Sequence, residues 1–278
     1  MDSQTNLYGL IGHPILHSMS PEFQNKLIEL FNINAAYLAF DVEKDQFDSI
    51  RNTIKTLNIK GLNVTVPYKE TIIPYLDKID ESADRIGAVN TIEYIDGQLI
   101  GYNTDASGFI RMLKELDVNI DNHKVVVLGA GGAAKAIIYA LEKLKIDDII
   151  ICNRTIEKAD RLLEKFKFKN KKISSLQNFQ IEDDMLIINT TSLGLNENES
   201  PVVVSKNVKN TMLIDIIYNP FETKLIKDAK VNGIYAVNGL PMLIYQGIES
   251  FKIWHRQIEK PFIYYDDLYD DLLRKLVV

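Results

Sequence analysis

Residues 124–154, KVVVLGAGGAAKAIIYALEKLKIDDIIICNR, contain the segment that decides the fold. They open with an all-apolar run, residues 125–128, of the kind that forms a parallel strand buried on both faces. A glycine-rich turn and a stretch with apolar residues at helical spacing follow, and then a second apolar run at residues 149–152. This order of strand, turn, helix and strand predicts a βαβ unit of a parallel sheet.

The turn fits the dinucleotide-binding pattern G-x-G-x-x-G/A. Gly129 permits the tight turn, Gly131 lets the backbone approach a pyrophosphate, and Ala134 lets the helix pack closely on the strand. The helix N-terminus adds free N–H groups and a partial positive charge. We therefore expect a dinucleotide site here, and a plain tight turn is the alternative.

The end of the second strand indicates which dinucleotide binds. An NAD site usually has an acidic residue there, about 20 residues beyond the glycines, to bind the ribose 2′-hydroxyl. This chain has Asn153, Arg154 and Thr155 instead. An arginine can bind a 2′-phosphate bidentately and stack on the adenine. NADP is therefore the predicted cofactor, and a solvated turn arginine is the alternative.

Composition limits the class of protein. With 278 residues, 46% of them hydrophobic, the chain can fill one large core or two ordinary ones. A net charge of −6 does not favour a nucleic-acid partner, and no apolar run reaches the roughly 20 residues that span a bilayer. Cys152 is the single cysteine, and no Cys/His cluster has metal spacing. We expect a cytoplasmic protein without a metal, with small-molecule partners, as a monomer or homodimer.

The N-terminal part begins with a predicted short strand at residues 8–12. Ser18, Ser20 and Pro21 then precede a helix with Phe23 and Leu27 on one face. Ser20 is a natural N-cap with Pro21 at the first helical position. Two hydroxyls at the positive end of a helix also suit a carboxylate ligand, and both roles can hold together.

Residues 61–69, GLNVTVPYK, predict a strand with apolar residues on one face and Asn63 and Thr65 on the other. Helices normally cover both faces of an α/β sheet, so a polar face at a strand's carboxyl end indicates a ligand cleft. Lys69 follows just beyond that end. A solvated surface lysine is the alternative.

Asp96-Gly97 is a strong two-residue hairpin signal between the predicted strands of residues 90–95 and 98–103. Counting outward from that turn sets Asn90 opposite Asn103. Asp105 follows where the chain leaves the sheet for a helix. It could cap that helix, or it could orient and polarise a substrate hydroxyl.

Further strands at residues 185–189, 212–217 and 234–238 alternate with helical stretches, which predicts a doubly wound parallel sheet. Residues 189–194 and 218–220 follow strand ends, where loops reach the nicotinamide end of a cofactor. Two helices after residue 239 could return to cover the first sheet, which would make the first domain discontinuous.

At this point the chain resembles the shikimate dehydrogenase family over residues 8–254. The matching segments are SMSP at 18–21, NVTVPYK at 63–69, AVNT at 88–91, GYNTD at 101–105, GAGGAA at 129–134, NRT at 153–155 and GLPMLIYQ at 239–246. The resemblance implies two open α/β domains with a cleft between them, the C-terminal one of Rossmann type. The implied substrate domain is 1–105 with 240–278, and the implied NADP domain is 106–239.

The resemblance also implies site residues. Lys69 and Asp105 are its catalytic pair. The implied substrate ligands are Ser18 and Ser20 for a carboxylate, Asn63, Thr65, Asn90, Asp105 and Gln246 for ring hydroxyls, and Tyr218. The implied cofactor ligands are Gly129, Ala130, Gly131, Gly132, Ala133, Ala134, Asn153, Arg154, Thr155, Lys158, Asn189, Thr190, Thr191, Ile216, Gly239 and Met242.

The implied reaction is reversible, NADPH-dependent reduction of 3-dehydroshikimate to shikimate in aromatic amino acid biosynthesis. Ala106 and Thr190 depart from the family pattern, where glycine and a smaller residue are usual. They bear on affinity and rate more than on reaction type. Two alternatives are a quinate/shikimate dehydrogenase that prefers NAD and a non-catalytic NADP or shikimate sensor.

Overall fold

The computed structural model describes residues 1–15, 18–118, 120 and 123–277. The chain forms two compact units. The first comprises Met1–Gly108 and Ile244–Leu272, and the second comprises Phe109–Leu243 and the residues from Leu273 onward. Within the described ranges no helix is long and apolar enough to cross a bilayer. Which unit binds which ligand, and the domain limits implied by the resemblance, stay predictions at this point.

The sheet of the first unit is mixed. Its strands are β1 (Asn6–Gly12), β2 (Ala35–Asp41), β3 (Gly61–Val64), β4 (Lys78–Ile79), β5 (Thr91–Ile95) and β6 (Gln98–Tyr102), in the spatial order β2-β1-β3-β5-β6-β4. β1 is parallel to β2 and β3, whereas β5 is antiparallel to β3 and β6. The carboxyl end of β3 and the amino end of β5 therefore lie at the same edge of the sheet.

The sheet of the second unit is parallel. Its strands are β7 (Lys124–Leu128), β8 (Asp148–Asn153), β9 (Asn170–Ser175), β10 (Met185–Asn189), β11 (Met212–Asp215) and β12 (Tyr235–Val237), in the order β12-β11-β10-β7-β8-β9. The strand order reverses between β7 and β10, which is where open α/β sheets bind ligands beyond their carboxyl ends. The predicted fold class, α/β with a Rossmann-type doubly wound sheet, is confirmed.

Helices connect and cover the strands. In chain order they are α1 (Ser20–Leu30), α2 (Ile50–Thr56), α3 (Glu81–Ile86), α4 (Asp105–Glu115), α5 (Gly132–Lys143), α6 (Ile156–Glu164), α7 (Lys224–Val231), α8 (Leu240–Trp254) and α9 (Tyr265–Leu276). In the first unit, Trp254 of α8 donates its indole N–H to the carbonyl of Ile92 on β5 at 2.9 Å. Gly61 on β3 is required below that indole, because a Cβ there would lie 2.2 Å from the ring nitrogen. The end of α8 is thus held against the middle of the sheet.

The hairpin prediction is confirmed in its register. Ile95 pairs with Gln98 and Thr91 with Tyr102, and the amide of Asn90 donates to the carbonyl of Tyr102 at 3.0 Å. Asp96 and Gly97 both have positive φ, 51° and 76°, as a type I′ turn requires. The sequence count therefore placed the root of the hairpin correctly.

Two local predictions were wrong. Ser20 does not cap α1, because Met19 occupies the N-cap position and Ser20 already lies in the helix, with Pro21 behind it. The strand predicted within residues 61–69 ends at Val64, and Val66, which the alternation placed on the apolar face, is 69% exposed. The alternation continued in the sequence beyond the last residue that a neighbouring strand can pair with. The short strand β4 and the polar edge strand β9 lacked an apolar pattern and were missed.

Gly247 of α8 supports a prediction about packing. A Cβ at this position would lie 2.0 Å from Cζ of Phe23, whose side chain is 1% exposed and cannot swing into solvent. We expect Gly247→Ala to lower the free energy of unfolding by about 1–3 kcal/mol through overpacking. Urea titration of the whole protein measures this. Lys252→Ala, on the same helix, is the control and should change it by less than about 0.5 kcal/mol; equal effects of the two variants would contradict the packing argument.

Candidate active site

A buried carboxylate at the start of α4 forms the centre of the polar cluster in the first unit. Asp105 accepts a hydrogen bond from Nζ of Lys69 at 2.6 Å, and their side chains are 7% and 18% exposed. Asp105 does not precede α4 as a cap would, since it is the first residue of the helix, and its backbone N–H donates to Oδ1 of Asn103 at 3.1 Å. Its carboxylate is therefore directed to Lys69 and lies at the positive end of the helix dipole.

Asn90 holds the other oxygen of this carboxylate. Its Nδ2 donates to Oδ1 of Asp105 at 2.8 Å, and its Oδ1 accepts from the backbone N–H of Thr104 at 2.8 Å. Asn90 is 2% exposed. The position follows from the sheet, because Asn90 precedes β5 at the edge where β3 ends and where the chain continues to Lys69. The structure thus brings Lys69, Asn90 and Asp105 together.

Gln246 of α8 joins the same cluster. Its Oε1 accepts from Nδ2 of Asn90 at 3.3 Å and from the hydroxyl of Thr104 at 3.4 Å. The backbones of α4 and α8 approach closely here, because a Cβ on Gly108 would lie 2.6 Å from the amide nitrogen of Gln246. Gly108 is therefore a positioning residue that the sequence motifs did not single out.

Asn63, on the polar face of β3, has hydrogen-bond partners within the first unit. Asn63 is 6% exposed, and its Oδ1 accepts from the hydroxyl of Tyr37 at 2.7 Å. Its Nδ2 donates to Ser250 at 2.9 Å and lies 3.1 Å from the hydroxyl of Thr91. Burial raises the pKa of Tyr37 and keeps its hydroxyl a donor. A hydrogen-bonded network inside the protein therefore satisfies Asn63.

Tyr37, Thr91, Thr104 and Ser250 belong to this network and were not found from sequence. Thr91 and Ser250 bond each other at 2.8 Å, and Ser250 and Thr104 at 3.1 Å. Thr91 and Thr104 lie within the AVNT and GYNTD segments, but the sequence pattern did not indicate a buried hydrogen-bond partner for either residue. The one available signal was Ser250 at position i+4 from Gln246, which places both on the same face of α8.

Other predicted substrate residues have these positions. The hydroxyl of Ser18 accepts from the backbone N–H of Ser20 at 3.2 Å, ahead of α1. Thr65 is half-buried directly after β3. Tyr218 lies in the second unit, whereas Ser18, Ser20 and Thr65 lie in the first.

In the second unit the glycine-rich turn has the expected form. Gly129 has φ +106°, and a Cβ there would lie 2.7 Å from Oγ1 of Thr190. Gly131 caps α5, and a Cβ on Gly131 or Gly132 would meet none of the described residues within 4 Å. Ala134 is fully buried against the sheet. The backbone at Gly131 and Gly132 therefore faces open space, as close approach by a diphosphate requires.

The turn after β8 carries the residues predicted to select the dinucleotide. Nδ2 of Asn153 donates to the carbonyl of Thr155 at 2.7 Å, which shapes the turn. Arg154 and Thr155 are exposed, and so is Lys158 in the first turn of α6. A cationic, solvent-facing turn at the end of the second strand can bind a phosphate.

The remaining cofactor candidates lie at or beyond the carboxyl ends of β10, β11 and β12. The hydroxyl of Thr190 donates to the carbonyl of Leu128 at 2.6 Å, so the residue that departs from the family pattern ties this loop to β7. Gly239 packs on Ile216, whose carbonyl oxygen would lie 1.9 Å from a Cβ. Met242 is 7% exposed. Ala106, the other residue that departs from the family pattern, is 4% exposed. The fold therefore accommodates both Thr190, which is hydrogen-bonded, and Ala106, which is buried.

The described residues support neither a metal centre nor a cysteine nucleophile. Among the residues that the structure describes, no group of three or more His, Cys, Asp or Glu side chains could hold a metal ion. Cys152 lies fully buried on β8, and burial raises the pKa of its thiol to about 12. The thiolate needed for nucleophilic chemistry is therefore scarce at neutral pH.

Comparisons with known proteins agree with the geometry. The family model "Shikimate dehydrogenase substrate binding domain" matches residues 10–92, and "Shikimate / quinate 5-dehydrogenase" matches residues 112–241. "Shikimate dehydrogenase (NADP(+))" of Aquifex aeolicus is 44% identical over 257 residues, 92% of this chain and 93% of that protein.

Two solved structures extend the comparison. Shikimate 5-dehydrogenase of Thermus thermophilus, in complex with NADP(H) and shikimate, aligns with a TM-score of 0.85 at 29% identity over 98% of this chain and 100% of that one. Ligand-free 5-ketofructose reductase of a Gluconobacter strain aligns with a TM-score of 0.83 at 30% identity over 97% and 99%. Closely similar folds therefore carry reductases named for different substrates.

The environment of Cys152 generates a prediction. We expect the native protein to be inert to a thiol-specific disulfide reagent at pH 8, because the thiol is buried and its pKa is about 12. Absorbance at the wavelength of the released thiolate measures the reaction. The control is the protein in denaturant, which should release about one equivalent since the chain has one cysteine. Rapid labelling of the native protein would contradict the prediction.

Proposed function

Because the chain belongs to the shikimate dehydrogenase family, we propose that it catalyses the reversible, NADPH-dependent reduction of 3-dehydroshikimate to shikimate, a step in the biosynthesis of chorismate and the aromatic amino acids. The observation that carries the catalytic assignment is the Lys69–Asp105 pair, joined at 2.6 Å and held by Asn90 and Gln246 around it. A buried ion pair at a strand's carboxyl end is a common setting for acid–base chemistry.

In the proposed mechanism Lys69 is the acid or base at the reacting oxygen. When NADPH is bound, it supplies the hydride that reaches the carbonyl carbon. Lys69 donates a proton to the carbonyl oxygen in reduction and accepts it from the hydroxyl in oxidation. Asp105 orients the ammonium through its hydrogen bond, and the positive charge of the ammonium stabilises developing negative charge on the oxygen. The ketone takes up one hydride and one proton and becomes the alcohol.

For the substrate we propose the following contacts. Ser18 and Ser20, at the start of α1, would bind the carboxylate. Asn63, Thr65, Asn90, Asp105 and Gln246 would bind the ring hydroxyls, with Tyr218 as a further ligand. Asn63 already donates to Ser250 and accepts from Tyr37, and its Oδ1 has a second lone pair with which it can accept from a substrate hydroxyl.

For the cofactor we propose that the turn of residues 129–134 binds the pyrophosphate. Its bare backbone and the N-terminus of α5 suit that group. Asn153, Arg154, Thr155 and Lys158 would bind the 2′-phosphate. The nicotinamide half would contact Asn189, Thr190, Thr191, Ile216, Gly239 and Met242.

An assay of NADPH formation tests the proposal. Purified protein receives shikimate or quinate, each with NADP or NAD. Turnover with shikimate and NADP above the other three pairs supports the proposal. Preference for NAD, or for quinate, would favour a quinate/shikimate dehydrogenase instead. Binding of NADP and shikimate without turnover would make the protein a sensor.

Cellular setting and assembly belong to the same proposal. We propose that the protein acts in the cytoplasm as a monomer or homodimer, with shikimate and 3-dehydroshikimate as its small-molecule partners. The net charge of −6 supports a partner that is not nucleic acid. Sedimentation of the purified protein separates the two assembly states.

The role of Lys69 generates a prediction. We expect Lys69→Ala to lower kcat by about 10²–10⁴-fold, the usual worth of acid–base help, with a much smaller change in the dissociation constant for shikimate. Steady-state kinetics and calorimetric titration measure the two quantities. Lys60→Ala is the matched control, because Lys60 bonds Asn58 ahead of β3 and should leave kcat unchanged. Near-normal turnover of Lys69→Ala would remove this residue from the mechanism.

The role of Arg154 generates another prediction. We expect Arg154→Glu to raise the KM for NADP by roughly 10-fold to 100-fold, since a charged hydrogen bond worth about 1.5–3 kcal/mol is lost and repulsion is added. The KM for NAD should change little. Arg161→Glu, the same charge change at an exposed position in the last turn of α6, is the control. An unaltered preference for NADP would mean that another residue reads the 2′ position.

A further inference from the structure

A second buried carboxylate lies at the end of β11, in the second unit. Asp215 is fully buried. Its Oδ1 accepts from Nδ2 of Asn189 at 2.9 Å and from the backbone N–H of Ile217 at 3.1 Å. Its Oδ2 accepts from the hydroxyl of Thr223 at 2.7 Å. One carboxylate therefore joins the end of β10 to both ends of the connection between β11 and α7.

The bond to Asn189 controls the loop after β10. Oδ1 of Asn189 accepts from the backbone N–H of Thr191 at 3.0 Å and from its hydroxyl at 2.8 Å. Its Nδ2, besides reaching Asp215, lies 3.3 Å from the carbonyl of Leu193. The orientation of the Asn189 amide therefore sets the path of residues 189–193.

The bond to Ile217 controls the segment after β11. The carbonyl of Ile217 accepts from the backbone N–H of Gly239 at 3.0 Å, and Ile216 is packed on that glycine with no room for a Cβ. Thr223 caps α7 by accepting from the backbone N–H of Ile226 at 3.3 Å. Asp215 thus anchors the strand exits next to Thr191, Ile216 and Gly239.

The carboxylate is kept at an energetic cost. The groups that face it are the neutral Asn189 of β10, the neutral Thr223 before α7, and the N–H of Ile217, and burial raises its pKa to about 6. None of the causes of that shift is an ionised side chain from the described residues. A raised pKa means that the residue contributes stability below about pH 3.8 that is lost as the pH rises through about 6. Folding alone would favour a neutral group here.

We propose that Asp215 is a positioning residue for NADP: its carboxylate locks residues 189–193, residues 216–217 and the start of α7 into the arrangement that receives the nicotinamide half. This inference rests on the proposed function, because the contacts of that half with Thr191, Ile216 and Gly239 belong to it. Asp215 acts through these loops and does not touch the reacting atoms.

The substitution Asp215→Asn removes the negative charge of the side chain and keeps its shape. Its oxygen can still accept from Asn189 and Ile217, but its Nδ2 is a donor and faces the hydroxyl of Thr223. Thr223, 1% exposed, must then turn its own hydrogen away from position 215 and lose that acceptor. Asp215 protonated on Oδ2 also presents a donor to Thr223 and keeps an acceptor for Asn189 and Ile217, so the variant mimics the acid form in these contacts.

The experiment compares Asp215→Asn with the wild-type protein by calorimetric titration of NADP from pH 5 to 8. We expect the variant to bind NADP about fivefold more weakly at pH 7.5, the size of a partly compensated hydrogen bond, and shikimate equally well. Because the 2′-phosphate itself titrates near pH 6, the ratio of the two dissociation constants is the readout. It should fall toward one below pH 6.

Two further variants make the result specific. Glu93→Gln alters a buried carboxylate of the first unit, ion-paired with Arg256 at 2.6 Å, and should leave NADP affinity unchanged. Thr223→Val removes the donor to Oδ2 and should weaken NADP in the same direction, which keeps the test open if Asp215→Asn does not fold. Thermal unfolding of each variant establishes that it is native.

The outcomes are distinct. The inference is overturned if folded Asp215→Asn binds NADP with wild-type affinity, or if the ratio of dissociation constants does not change with pH. In that case shikimate turnover by the wild-type protein leaves the proposed function intact. Equal losses of NADP and shikimate binding overturn it as well, because they indicate a general structural role. Failure of the wild-type protein to bind NADP overturns both.

Discussion

The constraint on which the first unit depends is the burial of the Asp105 carboxylate. A buried charge is tolerated only when it is paired and hydrogen-bonded, and here Lys69 supplies the charge and Asn90 the second donor. Each partner comes from a different part of the chain. Lys69 follows β3, Asn90 precedes β5 and Asp105 begins α4, so satisfying one carboxylate requires the sheet edge to close correctly.

That closure depends on strand direction. β5 runs antiparallel to β3, so the residue before one strand meets the residues after the other. With a parallel β5, Asn90 would lie at the far edge of the sheet. The network of Asn63, Thr91, Thr104 and Ser250 then fills the space behind the ion pair with satisfied polar groups, which makes the arrangement rigid. Rigid placement of a proton donor is what the proposed chemistry needs.

The second unit also has a buried carboxylate, that of Asp215, but its hydrogen-bond donors are neutral. Among the described residues Asp215 has three donors and no cation, and its pKa is accordingly raised to about 6. Asp105, with Lys69 beside it, is compensated by an opposite charge. One buried carboxylate therefore binds the ammonium of Lys69, and the other binds neutral groups at the strand exits. The difference in partners, visible in the hydrogen bonds, separates a group suited to chemistry from one suited to positioning.

Local patterns in the sequence were sufficient for several features. The glycine turn after β7, the type I′ hairpin at Asp96-Gly97 and the parallel order of apolar strands follow from steric limits and side-chain periodicity, which act over a few residues. The position of Asn90 and Asp105 at the root of the hairpin was also predictable from its register, whereas Lys69 was paired with Asp105 only through the family resemblance.

Tertiary structure decided what depends on partners distant in the chain. Asn63 is a network residue because Tyr37 and Ser250 reach it, and its alternation alone indicated a cleft. Ser20 lies inside α1, with Met19 at the cap position, although its local pattern is that of a cap. The polar strand β9 exists because β8 offers it an edge to pair with. Hydrogen bonds between residues far apart in sequence leave no periodic signal, so by itself the sequence determined the fold class and the candidate residues, while the fold decided how each of them is held.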